Sequence, residues 1–345
     1  MLHIANTNFE SELAATKPST VATLIQSHPI FMQLQFLPLL YAGPDDTVAV
    51  THAPSSFFHR WRLLDENRFD EEAVESSVES WGASPSVAEW AKKKKLSFKM
   101  PKWEIVKQVN SKAFSFTESP KLPGAELIHN LAELGAWEQK IEGPKVLKTC
   151  FGVSGKGHLF LPSPHMKKFA EQEFSQNRPL IAEPWVERKL DFSTQWMIHP
   201  DQKLEYLGAT VCVNDQRGQY NANKVGDLPF LFGKYFPFLE VHKEKTIPIL
   251  QKMAALGYFG NVGIDAMIWG NDQLHPVVEI NARKTMGWVA LEILKRRFPK
   301  QTIALSYLTK SNLTNLLPDA IVQKDGALLH FSRKLVVEIL ADKSK

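Results

Sequence analysis

The sequence predicts an α/β chain built as lobes, in which helices alternate with mostly short strands. Three observations carry that expectation. Apolar, β-branched runs such as 47–50, 145–150 and 277–280 alternate with segments of helical spacing. The polar stretch Gly270-Asn271-Asp272-Gln273 joins two such runs as a hairpin turn. A chain of 345 residues is long enough for two or three lobes with a sizeable core.

The elements follow in order. Residues 1–104 read as a first α/β lobe. It has a strand over 47–50, an aromatic segment through Trp61, and helices over 69–81 and 85–91. Ser84 supplies the cap of the second helix and Pro85 its first position. Lys92-Lys93-Lys94-Lys95 then breaks the pattern as a solvated connection. A helix over 126–140 carries Leu127, Leu131 and Leu134 at helical spacing. Strands follow over 145–150, 180–183, 194–198 and 204–213, and Tyr220-Asn221-Ala222-Asn223-Lys224 reads as a loop. A helix over 245–256 precedes the hairpin, and another over 287–297 is closed by Phe298-Pro299. The tail from 301 mixes helix and strand signals. No internal repeat or low-complexity segment occurs.

Composition excludes several classes. An apolar share of 44% and a charged share of 23% are those of a globular protein. A net charge of +4 favours anionic small ligands mildly and predicts no nucleic-acid partner. Cys150 and Cys212 make no disulfide framework, so the expected compartment is the cytoplasm. The start Met1-Leu2-His3-Ile4 lacks a basic leader segment, and the apolar patch 34–42 is too short to span a bilayer, so no membrane partner is expected.

The chemistry concentrates in the hairpin. Asp265 and Glu279 sit inside apolar strand sequence, where a carboxylate needs a cation or a hydrogen-bonding partner. With the turn centred on Asp272, Asp265 lies opposite Glu279, and Gly263 opposite Asn281. Asp265, Glu279 and Asn281 then share one face as an all-oxygen set suited to magnesium. Ile264, Ala266, Ile268, Val278 and Ile280 fall on the other face as core. Arg283, two residues further on, is placed to reach a phosphate that the metal bridges. Upstream, Lys148 ends a strand and is followed by Phe151-Gly152-Val153-Ser154-Gly155-Lys156-Gly157-His158. A strand lysine can meet the α/β-phosphates as a point charge, and the glycines let the loop turn its N–H groups onto them. The spacing is not that of a Walker A loop. Cys150 reads as a small packing residue and His158 as a surface residue, with phosphate contact as the rival reading. No histidine spacing suits zinc.

Asp265 followed by Glu279-Ile280-Asn281-Ala282-Arg283 resembles the metal-binding strands of the ATP-grasp enzymes, with Ala282 where most members carry proline. Lys284-Thr285-Met286-Gly287 also departs from the commonest continuation. The resemblance covers about residues 105–300. It implies an ATP-grasp fold behind a pre-ATP-grasp lobe over 1–104, with a lid subdomain over 105–182, a large subdomain over 183–300 and a C-terminal extension over 301–345. It further implies that Lys148 and the loop Ser154, Gly155, Lys156 and Gly157 cover the phosphates. Ile181-Ala182-Glu183-Pro184-Trp185-Val186 resembles the adenine hinge. There Glu183 or the Pro184 carbonyl would accept from the base amine and the Val186 N–H would donate, while Trp185 is either packing or a base contact. Asp191 is the implied ribose residue, with Glu187 its competitor. Lys112 is the implied first phosphate lysine, with Lys107 as alternative. Lys224 would meet the γ-phosphate or an acyl phosphate, with Arg217 as rival. The implied activity is an ATP- and Mg²⁺-dependent ligation, with Mn²⁺ as a substitute. A substrate carboxylate becomes an acyl phosphate, which the amine of an amino acid or peptide then attacks, and a homodimer is compatible with this. A kinase on the same fold and a nucleotide-binding protein without turnover are the alternatives.

Overall fold

The structure is a computed structural model of the chain. It describes residues 1–15, 17, 19–55, 61–64, 77–152, 157–215, 218, 220–323 and 325–342. The chain packs into two compact units. The first comprises Met1–Trp103, Asn221–Asp227 and Arg283–Lys345; the second comprises Glu104–Tyr220 and Leu228–Ala282.

The first unit begins with β1 (Leu2–Ile4), α1 (Phe9–Ala14), α2 (Val21–Gln26), α3 (Pro29–Leu34), β2 (Thr47–Val50), β3 (Trp61–Leu63), β4 (Val78–Ser80) and α4 (Pro85–Lys93). The four strands form a parallel sheet in the order β3-β2-β1-β4. Leu2, Ile4 and Ala49 of the sheet bury against Val21, Ile25, Val87 and Trp90 of α2 and α4. The helix expected over 69–81 is corrected at its end, because 78–80 is a strand; residues 69–76 lie outside the described residues. Helical spacing loses to the open edge of β1. Leu2 N donates to Ser77 O at 3.1 Å and Trp81 N to Ile4 O at 2.9 Å. α4 starts at Pro85 as expected, but the Ser84 hydroxyl bonds Asn6 and Ser86 and does not cap the helix.

The second unit begins with α5 (Trp103–Asn110), whose first residue lies in the first unit, and α6 (Lys112–Glu118). The helix expected over 126–140 splits into β5 (Glu126–Ile128) and α7 (Leu131–Lys140). The Asn130 side chain accepts from Glu133 N at 3.0 Å, and Glu133 accepts from His129 N at 2.7 Å. This capping box starts the helix five residues late and frees 126–128 to pair with a strand. Next come β6 (Lys145–Thr149), β7 (His158–Leu161), α8 (Met166–Phe174) and β8 (Leu180–Pro184), giving an antiparallel sheet in the order β5-β8-β6-β7.

β9 (Arg188–Ile198) and β10 (Leu204–Asn214) follow, and the chain then returns to the first unit as β11 (Tyr220–Val225). The loop expected at 220–224 is therefore a strand. Ala222 and Val225 are buried, and β11 pairs with a later strand, so the polar composition of Asn221, Asn223 and Lys224 hides its extended backbone. The second unit resumes with α9 (Leu228–Phe232), α10 (Phe238–Ala255), β12 (Gly260–Trp269) and β13 (Gln273–Asn281). α10 starts seven residues before the expected 245 and keeps Pro248 in its interior. Within this unit the antiparallel order is β13-β12-β9-β10. One face of these strands is apolar: Phe192, Ala209, Val211, Ala266 and Ile268 pack on Phe232 of α9 and Leu239 of α10.

The first unit closes with α11 (Met286–Arg297), capped by Thr285 at 3.1 Å from Trp288 N, and with β14 (Gln301–Leu308), β15 (Ala320–Val322), β16 (Leu328–His330) and β17 (Lys334–Asp342). Among the described residues the tail after 300 holds strands and turns and no helix.

Phe192 is 1% exposed and meets the rings of Phe232 and His242 at 5.2 and 5.1 Å. Phe192→Ala is expected to cost about 3–5 kcal/mol of stability, read as a lower denaturant midpoint.

Candidate functional site

The register of β10, β9, β12 and β13 sorts their other face into three rows, because paired residues in an antiparallel sheet point the same way. The first row runs Cys212, Asp191, Met267, His275. The second runs Thr210, Ser193, Asp265, Glu279. The third runs Gly208, Gln195, Gly263, Asn281. Asp265 thus faces Glu279 and Gly263 faces Asn281, as expected, and Ile264, Ala266, Ile268 and Ile280 are buried on the reverse face. The expected turn centre is corrected. Trp269 pairs with Gln273 and Met267 with His275, so the hairpin turns about Asn271 and not Asp272. Between His275 and Glu279, β13 then holds two more residues than β12 does opposite them. Pro276 has no N–H to give the ladder, and the bulge forms there. It restores the carboxylate pair, and it also puts Val278, expected in the core, into the lining of a cleft.

The oxygen set is compact. Asn281 Nδ2 donates to Asp265 Oδ2 at 3.1 Å, and Lys112 Nζ donates to Glu279 Oε1 at 2.5 Å and to Gly152 O at 3.3 Å. Lys112 begins α6, where the Ser111 hydroxyl accepts from Ala113 N, and its side chain is 8% exposed. Among the described residues no cluster of three His, Cys, Asp or Glu side chains suits a metal. Two carboxylates and an amide oxygen are a hard, incomplete donor set. Such a set fits a magnesium ion that takes its remaining ligands from phosphates and water. Burial and the charges of Asp265 and Asp191 push the Cys212 thiol well up, which disfavours a thiolate there.

A second ion pair lies on the sheet of β6 and β8. Lys148 Nζ donates to Glu183 Oε2 at 2.5 Å, and both side chains are largely buried. Burial alone would raise the Glu183 carboxyl; the Lys148 charge and hydrogen bond outweigh it and hold it below 4.5. These two residues line a cleft with Phe116, Ile181, Val277 and His275. The cleft is narrow, with an enclosed volume of about 10 Å³. His158, expected at the surface, is half-buried and pairs across the ladder with Lys148. Burial, then Lys148 and Lys112, draw it down to about 4. Burial also draws His275 down to about 4, against the pull of Glu183. His275 escaped the sequence reading; its signal is the two-residue period that it shares with Val277, Glu279 and Asn281.

The hinge is pinned by Trp185 N, which donates to Pro144 O at 2.7 Å. The Trp185 ring meets Phe160 edge-on at 4.8 Å and lies 4.9 Å from the Arg188 guanidinium. The Val186 N–H makes no backbone hydrogen bond among the described residues. Asp191 accepts from Arg188 at 3.0 Å and from Asn214 at 3.1 Å, while Glu187 is exposed. Gly157 has φ of +88° and its carbonyl accepts from Thr149 N at 2.9 Å, which closes the base of the loop. Ser154, Gly155, Lys156 and Arg217 lie outside the described residues.

No family model matches the chain. A curated relative, a ligase of L-glutamate and the butirosin acyl-carrier protein from Niallia circulans, is 28% identical over 165 residues. That match takes in 44% of this chain and 36% of the relative, so it spans about a third of that protein's length. Among solved structures, N5-carboxyaminoimidazole ribonucleotide synthetase from Thermus thermophilus aligns with a TM-score of 0.52 and 14% identity, over 98% of this chain and 92% of its own. The biotin carboxylase domain of the 2-oxoglutarate carboxylase from Hydrogenobacter thermophilus, solved with MgADP, ADP and bicarbonate, aligns at 0.51 and 13%, over 76% and 69%. This chain has the ATP-grasp fold.

Other residues that the sequence singled out lie in the first unit. Arg283 Nε meets the Glu10 carboxylate of α1, and its Nη1 donates to Lys284 O at 2.9 Å. Lys224 is half-buried in β11 opposite Ala304. Lys284, 2% exposed, pairs with Glu79 and donates to Ser80 O at 3.0 Å beneath the Tyr41 and Trp288 rings. The unusual sequence after Arg283 is therefore structural: Lys284 anchors the chain on β4 and Thr285 caps α11. In the second unit, Lys107 lies 6.0 Å from the Phe151 ring, and Cys150 is buried, with its thiol on Pro179 O at 3.2 Å. Among the described residues no helix is long and apolar enough to cross a membrane.

The histidines set a pH dependence. His158 and His275 are held near 4, below their ordinary 6.5, so the folded protein binds fewer protons than the unfolded chain between those values. Their contribution is full above pH 6.5 and is lost as pH falls through 4. Unfolding midpoints measured from pH 7 to 4 should fall, and the fall should be shallower in His275→Gln.

Proposed function

We propose that the protein is an ATP- and Mg²⁺-dependent ligase that joins a carboxylate to an amine, releasing ADP and phosphate. The observation that carries this reading is the pairing of Asp265 with Glu279 and of Gly263 with Asn281 on the polar face, with Lys112 against Glu279. The ATP-grasp fold and the biotin carboxylase neighbour crystallised with MgADP support it.

The chain's own residues have separable tasks. Glu183 or the Pro184 carbonyl takes the base amine, the Val186 N–H donates to the ring, and Asp191, or Glu187 in its place, takes the ribose hydroxyls. Lys148, paired with Glu183, and Lys112 neutralise the phosphates together with the loop N–H groups of Ser154, Gly155, Lys156 and Gly157. Asp265, Glu279 and Asn281 would hold Mg²⁺, or Mn²⁺ in its place, which supplies charge neutralisation at the β- and γ-phosphates. A substrate carboxylate oxygen attacks the γ-phosphorus, and the bond to ADP breaks. The amine then attacks the acyl carbon, phosphate leaves with the bridging oxygen, and the nitrogen loses its proton. Arg283 and Lys224 are assigned to the charge on the transferring group. No protein nucleophile is needed, in keeping with the buried thiol of Cys150.

The relative that couples L-glutamate to a carrier protein supports an amino acid or peptide as one of the two substrates. The reading places the protein in the cytoplasm, where ATP is plentiful, and a homodimer is compatible with it. The test is phosphate release from Mg·ATP across a panel of amino acids and small carboxylates, with hydroxylamine to trap the acyl phosphate as a hydroxamate. Release that depends on both substrates is expected. A phosphorylated product without free phosphate would make the protein a kinase and overturn the ligase reading. Asp265→Asn and Glu279→Gln should each lower turnover at least about 100-fold with the chain still folded; full activity in both would remove the metal assignment.

A further inference from the structure

We propose that His242, on the apolar side of the sheet, positions the metal pair by holding the bulge that sets Glu279 opposite Asp265. The inference rests on the metal reading above and adds to it a residue from the reverse face. The first observation is the bulge itself. Pro276, Val277 and Val278 together face Ala266 alone, because Met267 pairs with His275 and Asp265 with Glu279. Such a stretch has lost its ladder, so its backbone groups need partners from elsewhere. Just past it, Ile280 N donates to the Ser115 hydroxyl of α6 at 3.2 Å. The bulge itself is met by His242 of α10, which the Pro276 carbonyl approaches in looser than regular hydrogen-bond geometry.

The second observation is the cost of this imidazole. His242 is 0% exposed and lies against Phe192, in a layer with Phe232, Leu239 and Ile268. A polar ring there is unfavourable unless its nitrogens are used. The third is its orientation. Nε2 lies 2.7 Å from the Thr194 hydroxyl, which accepts from Trp196 Nε1 at 2.9 Å. With the Trp196 N–H on the hydroxyl oxygen, the hydroxyl hydrogen turns to Nε2 and the ring hydrogen is left on Nδ1. Burial draws the ring down to about 4, so it is uncharged at neutral pH and keeps that arrangement. Nδ1–H is thereby the donor available to the Pro276 carbonyl. Thr194 pairs with Ile264, and Ile264 with Ile280, so the imidazole is anchored one residue along the strands from the row of Asp265 and Glu279.

The experiment measures ADP binding by calorimetry with and without Mn²⁺, on the full chain. The gain in ADP affinity that Mn²⁺ confers reads the metal pair, and binding without metal reads the rest of the site. His242→Gln sets its amide at the Nε2 position, keeping Thr194 and losing Pro276. The gain should fall about tenfold, with metal-free binding held within about twofold. His242→Asn sets its amide at the Nδ1 position and should keep the gain within about threefold. Amide hydrogen exchange over 277–280 should quicken in the glutamine variant alone. Thr194→Val leaves His242 in place but unanchored, and stands in if a His242 variant fails to fold; a fall of about threefold is expected there. Equal losses in the two His242 variants, or equal losses with and without Mn²⁺, would show a merely structural role and overturn the proposal. So would an unchanged gain in the glutamine variant, or in Thr194→Val where it stands in. If Mn²⁺ confers no gain on the unaltered protein, the metal reading itself falls, an outcome distinct from failure of the His242 assignment.

Discussion

The polar face of β9, β10, β12 and β13 depends on one constraint: the cross-strand pairing of Asp265 with Glu279. Two carboxylates directly opposite each other repel, and in a largely apolar sheet that repulsion is costly unless cations sit beside them. Lys112 supplies one such cation from α6, and Asn281 supplies a donor to Asp265. The same pairing fixes which face of every neighbouring strand is polar, since side chains alternate along each strand. Phe192, Val211 and Ile268 are thereby committed to the layer with α9 and α10, and Asp191, Ser193 and Gln195 to the opposite face.

Charges on the two sheets of the second unit are matched in pairs, not by a general field. Lys112 answers Glu279 and Lys148 answers Glu183, each at 2.5 Å. Both lysines are nearly buried, so each needs a carboxylate while no anion is bound. A polyanion arriving at the site would meet lysines already oriented and would share them with the acids. The histidines add no charge at neutral pH, because burial keeps His158 and His275 unprotonated.

Much of this was legible in the sequence, for physical reasons. The two-residue period and the misplaced acids give the hairpin, its core face and its oxygen set. Lys148 before a glycine-rich loop is local information. What stayed hidden depended on contacts remote in sequence. Residues 78–80 become strand because β1 offers an open edge, and Lys224 lies in a strand because β14 pairs with β11. Local chemistry can hide as well: the Asn130–Glu133 box moved a helix start that leucine spacing alone had placed earlier. Pro276 is the most instructive case. The register of the acids was right with the turn centre misplaced by one residue, because an unread bulge compensated. That bulge is what brings His275 forward.

The bulge also has a consequence for how such hairpins can change in length. One residue added inside β13 with the pleat kept regular would turn every side chain beyond it to the opposite side, sending Glu279 and Asn281 into the apolar layer. Two added residues return the strand to its original facing, and Pro276–Val278 shows the chain accommodating that number. A single extra residue needs a bulge that absorbs it, as at Leu207 of β10 and Lys189 of β9, whereas the turn at Gly270–Asp272 can lengthen by any number. Spacing between the two acids is thus set by bulge and turn together, while the facing of Glu279 and Asn281 is the quantity the polar face requires.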